Sequence, residues 1–313
     1  MKRVALMFPG QGSQDIGMGK DFYDEYSEVR ALFEKANELL GKDITDLMLN
    51  GPIQPLTETE NAQPALLLNS IAIFQQLEKE GVQPVAAIGH SLGEYSALTA
   101  AGAISLEEAL PLVQTRGRLM EEAFPKGQGT MAAVLGLTAE EIEQGLEEIE
   151  DETVDMANLN CPGQIVISGT KAGIEKATEI LKDKGAKRVL PLNVSGPFHS
   201  RLMKPANEKF AAYLNQVDIQ PANIPVYANV SASPVESSEE IKELLIKQLY
   251  SPVRFEESIR NMMEDDIDAF VEVGNGKVLT GLVRKIDRSV KTFAVQDISS
   301  MKKFLSWYRE EGA

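Results

Sequence analysis

The pentapeptide Gly89-His90-Ser91-Leu92-Gly93 sits between the apolar run Val85-Ala86-Ala87-Ile88 and a helix-like stretch over residues 92–101. A G-x-S-x-G motif with a strand before it and a helix after it requires a tight, strained turn. Glycines on both sides leave room for backbone to pass close by. Such a turn lifts Ser91 above a sheet and against a helix N-terminus, where backbone N–H groups and the helix dipole favour a developing oxyanion. The motif alone is common by chance, and a serine here would also serve as an ordinary helix N-cap. The strand and helix that flank it favour a nucleophile.

Strand-like and helix-like runs alternate through the rest of the chain, which argues for an α/β fold. Residues 4–8 form an apolar run stopped by Pro9-Gly10-Gln11-Gly12, which reads as a first strand and not as a leader peptide. Apolar residues at helical spacing predict helices over 30–40 and 64–77. Ser105-Leu106-Glu107-Glu108 has the form of a capping box and starts another helix, with Pro111 inside it as a candidate kink. Composition shifts at Pro125-Lys126-Gly127-Gln128-Gly129. Beyond that point the pattern predicts strand 131–135, helix 139–148, strands 154–158 and 165–168, helix 172–184 and strand 188–192. This βαββαβ order is that of a ferredoxin-like unit, so residues 127–194 are expected to form an inserted small domain. The remainder, 1–126 and 195–313, is expected to form an α/β-hydrolase-like large domain with a mainly parallel sheet.

Composition narrows the partners. Lys and Arg number 31 against 47 Asp and Glu, a net charge of −16, which speaks against nucleic acid. An anionic ligand would need a local cationic pocket or a helix N-terminus. The chain is 43% hydrophobic and 25% charged, as globular domains are. No apolar run approaches the ~18 residues of a membrane span. A single cysteine, Cys161, permits no internal disulfide and no cysteine-rich metal site, so the cytoplasm is the expected compartment. The loop Phe8-Pro9-Gly10-Gln11-Gly12-Ser13-Gln14 lacks the spacing of a Walker A loop or a dinucleotide fingerprint. Its glycines could instead present backbone N–H groups to an anion, which makes this loop a candidate for the second oxyanion donor.

A serine hydroxyl needs a base, and the chain offers two histidines, His90 and His199. His90 adjoins Ser91 and should point away from it, as a packed residue that holds the turn. His199, in Ser195-Gly196-Pro197-Phe198-His199-Ser200, follows the serine in the order of elbow-type enzymes and is the preferred base. Two polar residues fall on or beside apolar stripes. Gln248 lies seven residues after Ile241 on a helix predicted over 237–250, so its amide is expected to be buried, either in a site or against nearby backbone. Arg116 lies at the edge of the face formed by Ala109, Leu110, Val113 and Met120, whereas Arg118 points to solvent. A partly buried guanidinium demands an anion, either an internal Asp or Glu or a substrate carboxylate bound in bidentate fashion.

Together these segments resemble the malonyl-CoA:acyl carrier protein transacylase family of bacterial type II fatty acid synthesis. The resemblance spans essentially the whole chain. It is carried by Gly10-Gln11-Gly12-Ser13-Gln14, Gly89-His90-Ser91-Leu92-Gly93-Glu94, Gln114-Thr115-Arg116-Gly117 and Asn160-Cys161-Pro162-Gly163-Gln164. Gly196-Pro197-Phe198-His199-Ser200, Gln248-Leu249-Tyr250-Ser251-Pro252-Val253 and Glu272-Val273-Gly274-Asn275-Gly276-Lys277-Val278-Leu279 continue it. The family's Asn-Ser-Pro-Gly-Gln stretch has Cys161 in place of its serine.

The resemblance implies that Ser91 carries a malonyl ester and that His199 acts as base and then as acid. It implies an oxyanion hole from the N–H groups of Gln11 and Leu92, and a carboxylate-binding role for Arg116. Gln248 would orient His199 through its main-chain carbonyl, and Phe198 would disfavour an α-methyl group, unless it is simple core packing. The implied substrates are malonyl-CoA and acyl carrier protein, exchanged in a ping-pong cycle by a monomer without metal, nucleotide or flavin. An acidic carrier docking on an acidic chain needs a basic patch. Lys187 and Arg188, within Lys182-Asp183-Lys184-Gly185-Ala186-Lys187-Arg188, form one candidate; Lys277, Arg284, Lys285 and Arg288 form a second. Each is also readable as a solvated face. A serine hydrolase, or a carrier-binding module without activity, would share parts of this pattern.

Overall fold

Every residue of the first strand, β1 (Val4–Phe8), is buried, and its side chains divide between two cores. Val4, Leu6 and Phe8 join one cluster with Phe22 and Phe33, while Ala5 and Met7 join another with Ile88 and Phe255. A strand covered on both faces belongs at the centre of a parallel sheet with helices on either side. The computed structural model, which describes residues 2–310, has that arrangement. The further strands are β2 (Pro84–Gly89), β3 (Gly129–Leu135), β4 (Val154–Cys161), β5 (Gln164–Thr170), β6 (Arg188–Pro191), β7 (Val226–Tyr227), β8 (Pro234–Val235), β9 (Ala269–Val273) and β10 (Thr292–Val295). The larger sheet has six strands in the order β10-β9-β1-β2-β7-β8. All its pairs are parallel except β7 with β8.

A separate four-stranded sheet, in the order β4-β5-β3-β6, is antiparallel throughout. The helices Ala139–Glu147 and Lys171–Asp183 supply Ile142, Ala177 and Leu181 to its own core, with Val134 and Ile167 from the strands. β4 runs three residues past the predicted end at 158, to Cys161, and its register with β5 shifts twice along the way. Its asparagines disfavour a strand in isolation, but the chain outside the sheet holds this one in place. The Leu159 N–H donates to the Val253 carbonyl at 2.9 Å, and the Val253 N–H donates to the Ala157 carbonyl at 2.8 Å.

Three helices frame the end of β2. The helix Leu92–Ala100 follows the turn directly. The helix Leu106–Glu122 starts where its cap predicts, with the Ser105 hydroxyl accepting from the Glu108 N–H, and it runs unbroken through Pro111. The helix Thr59–Lys79 begins five residues before the expected 64, with Pro64 inside it. Its first turns, Thr59-Glu60-Asn61-Ala62-Gln63, are largely polar yet mostly buried, so no amphipathic stripe marks the start. Gly117 lets this helix approach the Leu106–Glu122 helix, because a Cβ there would lie 2.7 Å from the Thr59 carbonyl oxygen.

At its two glycines the turn has no room for a side chain. A Cβ on Gly89 would sit 1.8 Å from the Gly93 carbonyl carbon, and one on Gly93 would sit 2.0 Å from the Phe8 carbonyl oxygen. Both obstacles are backbone of central elements and cannot rotate away. Gly93→Ala is therefore expected to destabilise the protein by at least the ~1–3 kcal/mol of an overpacked core. Guanidinium unfolding checks this; an unchanged midpoint and slope would contradict the packing described here.

Candidate active site

Ser91 occupies the N-cap position of its helix, but its side chain makes no capping bond, which removes the ordinary-cap reading. Its backbone is held at φ 52°, in the left-handed region that costs a non-glycine residue about 1–3 kcal/mol. Asn229 stabilises this shape. Its Oδ1 accepts the Ser91 N–H at 2.8 Å, and its Nδ2 donates to the Gly89 carbonyl at 2.6 Å.

The Ser91 Oγ lies 2.7 Å from the Nε2 of His199. On the other side of the ring, Nδ1 lies 2.9 Å from the main-chain carbonyl of Gln248. A carbonyl only accepts, so Nδ1 carries the ring proton of the neutral imidazole. Nε2 is then left as the acceptor for the serine hydroxyl. Burial, then the nearby Arg116 charge, lowers the pKa of His199 to about 3, so the ring is neutral at physiological pH. His90 does none of this. Its Nε2 pairs with the Asn160 Oδ1 at 2.8 Å, its ring centroid lies 5.7 Å from that of Phe255, and burial lowers its pKa. It braces the turn, as expected, and also lines the cavity beside Ser91.

Arg116 is 0% exposed. Its Nη2 donates to the Ser91 Oγ at 3.1 Å and to the Gln248 Oε1 at 2.8 Å, and its Nη1 donates to the Gln63 Oε1 at 2.8 Å. The guanidinium carbon lies 5.2 Å from the centre of the Tyr95 ring, and Nε has no hydrogen-bond partner. Among the described residues no carboxylate pairs with it within 4.0 Å, so the internal salt bridge considered above is not formed. A full positive charge thus stands beside the serine with only neutral amides, a hydroxyl and an aromatic face around it. Gln248 serves the site twice, through its carbonyl to His199 and its side chain to Arg116.

A cavity of about 140 Å³ opens over Ser91 and is lined by Gln11, Gln63, Leu92, Phe198 and His199 among others. Among the described residues the backbone N–H groups of Gln11 and Leu92 donate no hydrogen bond, so both are free for a ligand atom. The Gln11 side chain ties its loop to Thr59 at 3.1 Å. Phe198 is buried and also lines the cavity. Lys187, just before β6, and Arg188, at its start, are exposed and do not line this cavity. A larger cavity of about 1020 Å³ lies against Lys2, Lys291 and Trp307 and contains none of these groups.

Five residues of this arrangement were given no role by the sequence: Gln63, Glu94, Tyr95, Asn160 and Asn229. Glu94 reads as an ordinary acid at a helix start, yet it is buried, and burial raises its carboxyl pKa to about 7. The one available signal was that its helix is apolar on nearly every side, which leaves a charged residue no solvent face. Asn229 carries no local signature, because the turn residues it holds, Gly89 and Ser91, lie more than a hundred positions away.

Residues 6–312 match the family model described as acyl transferase domain. A malonyl CoA-acyl carrier protein transacylase of Bacillus subtilis is 50% identical over 313 residues, covering 99% of this chain and 99% of that protein. The crystal structure of an acyl carrier protein S-malonyltransferase from Vibrio cholerae superposes with a TM-score of 0.95 at 42% identity, covering 97% of this chain and 100% of that one. A malonyl-transacylase in complex with a type II polyketide synthase acyl-carrier protein superposes with a TM-score of 0.95 at 41% identity, covering 97% and 99%.

The lowered pKa of His199 has a signed consequence. The unfolded chain takes up this proton near the ordinary imidazole value of 6.5, and the folded chain does so only near 3. Folding stability should therefore fall as pH drops below the upper value, by up to about 1.4 kcal/mol per pH unit from this group. NMR of the imidazole is expected to show His199 neutral at about pH 5; titration near the ordinary value would contradict the assigned environment.

Proposed function

The chain belongs to the acyl transferase family, and from that membership we propose that it is a malonyl-CoA:acyl carrier protein transacylase working through Ser91. The observation that carries this reading is the buried Arg116 beside the Ser91 hydroxyl with no carboxylate of its own. Malonyl-CoA brings the missing carboxylate. Arg116 Nη2, 3.1 Å from the Ser91 Oγ, would take that end as the thioester carbonyl is brought to Ser91.

In the first half-reaction the neutral His199 Nε2 takes the Ser91 proton as Oγ attacks the thioester carbon. The oxyanion accepts from the N–H groups of Gln11 and Leu92. The tetrahedral intermediate collapses with cleavage of the carbon–sulfur bond, and His199 returns the proton to the leaving CoA thiolate. In the second half the phosphopantetheine thiol of the carrier protein gives its proton to His199 and attacks the malonyl ester. Ser91 leaves and regains the proton. The Gln248 carbonyl stabilises the imidazolium in both halves, in the position an aspartate takes in a Ser-His-Asp triad. Every proton and electron pair is accounted for by these groups and the two thiols, so the chemistry requires no further cofactor. Phe198 crowds an α-methyl group. A single methyl is worth about 1–3 kcal/mol in such a pocket, so rejection of methylmalonyl is weaker than rejection of acetyl.

The strand orders support a division into an α/β-hydrolase-like unit, residues 1–126 and 195–313, with residues 127–194 inserted as a ferredoxin-like unit. No helix among the described residues is long and apolar enough to cross a membrane. The enzyme acts as a cytoplasmic monomer. The two basic candidates for carrier docking adjoin one another. Lys187 packs over Gly136, Gly136 bonds Gly163 at 2.9 Å, and Lys285 donates to Gln164 at 3.0 Å. With Arg188 they form one exposed cationic surface on an acidic chain, complementary to an acidic carrier.

Transfer from malonyl-CoA to carrier protein tests the reading. Ser91→Ala is expected to reduce it to background, and release of free malonate in place of malonyl-carrier would indicate a hydrolase. Arg116→Ala is expected to lower malonyl transfer on the order of 10²–10³-fold and to erase the preference over acetyl. Charge reversal at Lys187 and Arg188 should raise the apparent KM for carrier protein several-fold with little change for malonyl-CoA. Equal changes for both substrates would contradict the docking surface.

A further inference from the structure

Glu94 lies on the first turn of the helix after Ser91, 2% exposed, and no step described above uses it. Its Oε2 accepts the Gln248 Nε2–H at 2.6 Å and the Asn229 backbone N–H at 3.1 Å. The opposite end of the same Gln248 amide, Oε1, accepts from Arg116 at 2.8 Å. An ionised carboxylate only accepts and a guanidinium only donates, so the amide between them has one workable orientation. Glu94 enforces it. Through Asn229 the same carboxylate is joined to the Ser91 N–H and the Gly89 carbonyl. Glu94 is also the carboxylate whose charge acts on Arg116 from one amide away.

We propose that Glu94 is a positioning residue that sets how strongly the Arg116 pocket prefers an acyl group with a free carboxylate over one without. This rests on the malonyl-transfer reading. An ionised Glu94 lends Arg116 part of its counter-charge through the Gln248 amide, and the malonyl carboxylate supplies the rest. A neutral group at position 94 leaves Arg116 short of negative charge, which favours malonyl and penalises acetyl. Because burial raises this carboxyl pKa to about 7, both charge states are populated near neutral pH. The charged and titratable groups that act on it are Arg116 from the Leu106–Glu122 helix and Tyr95 on its own helix. Its partners from the other packed elements, Asn229 and Gln248, are neutral.

The test loads the full chain from mixtures of malonyl-CoA and acetyl-CoA and reads the ratio of malonyl- to acetyl-enzyme by intact-mass spectrometry. Wild type and Glu94→Gln are compared from about pH 6 to about pH 8.5, the span over which such a carboxyl ionises. The ratio cancels the ionisation of His199, which both acyl groups share. In wild type it is expected to fall several-fold, on the order of tenfold at most, as pH rises through the titration of Glu94. In Glu94→Gln it is expected to stay high and flat. A flat wild-type ratio, or a Glu94→Gln ratio equal to wild type at the alkaline end, would overturn the proposal. The wild-type series needs no variant, so the test stands if Glu94→Gln fails to fold. Absence of any malonyl adduct on wild type would instead refute the malonyl-transfer reading itself.

Discussion

A guanidinium with no exposed surface and, among the described residues, no carboxylate within 4.0 Å is the constraint around which this molecule is arranged. Burying a charge costs several kcal/mol even after relaxation, and removing a partner from a buried pair costs a similar amount. The protein meets part of that cost with side-chain amides. Gln63 and Gln248 both turn oxygens toward Arg116, and the Tyr95 ring offers its face. The amides give partial charge only. In the proposed function, the deficit that remains is what selects a substrate carrying its own carboxylate.

The second requirement is a serine beside that cation, and the turn that supplies it is a product of the whole sheet. β1 and β2 are parallel neighbours, and Gly93 lies against the carbonyl of Phe8 at the end of β1. Asn229, just beyond β7, clamps both ends of the turn. The strain at Ser91 is thus held by three chain segments distant in sequence. The imidazole depends on a fourth, because the Gln248 carbonyl decides which ring nitrogen of His199 faces the hydroxyl. Geometry and protonation state are therefore set together.

The frame of this arrangement was legible because its signals are local. Apolar runs with stops at glycine and proline marked β1 and β2, and Ser105 marked its helix by its cap. Ser91, His199 and Arg116 stood out because a hydroxyl, an imidazole and a guanidinium fell where the motif or the apolar stripe made them conspicuous. The buried start of the Thr59–Lys79 helix was not legible, since its polar residues, Gln63 against Arg116 among them, are mostly buried yet imitate a surface turn. Nor were the roles of Glu94 and Asn229, whose bonds to Gln248 and Ser91 span more than a hundred positions. Gln248 was half readable. Its helical register announced burial, but not that its carbonyl and its amide would each serve a different partner.

The central claim is that one hydroxyl, activated by one imidazole, holds the acyl group between the two thiols. Peptide mapping by mass spectrometry, after brief exposure to malonyl-CoA without carrier protein and an acid quench, tests it most directly. A single malonyl ester is expected on the peptide containing Ser91, discharged when holo carrier protein is added before the quench. A malonyl group on any other side chain, or transfer to carrier protein with no adduct on Ser91, would contradict it.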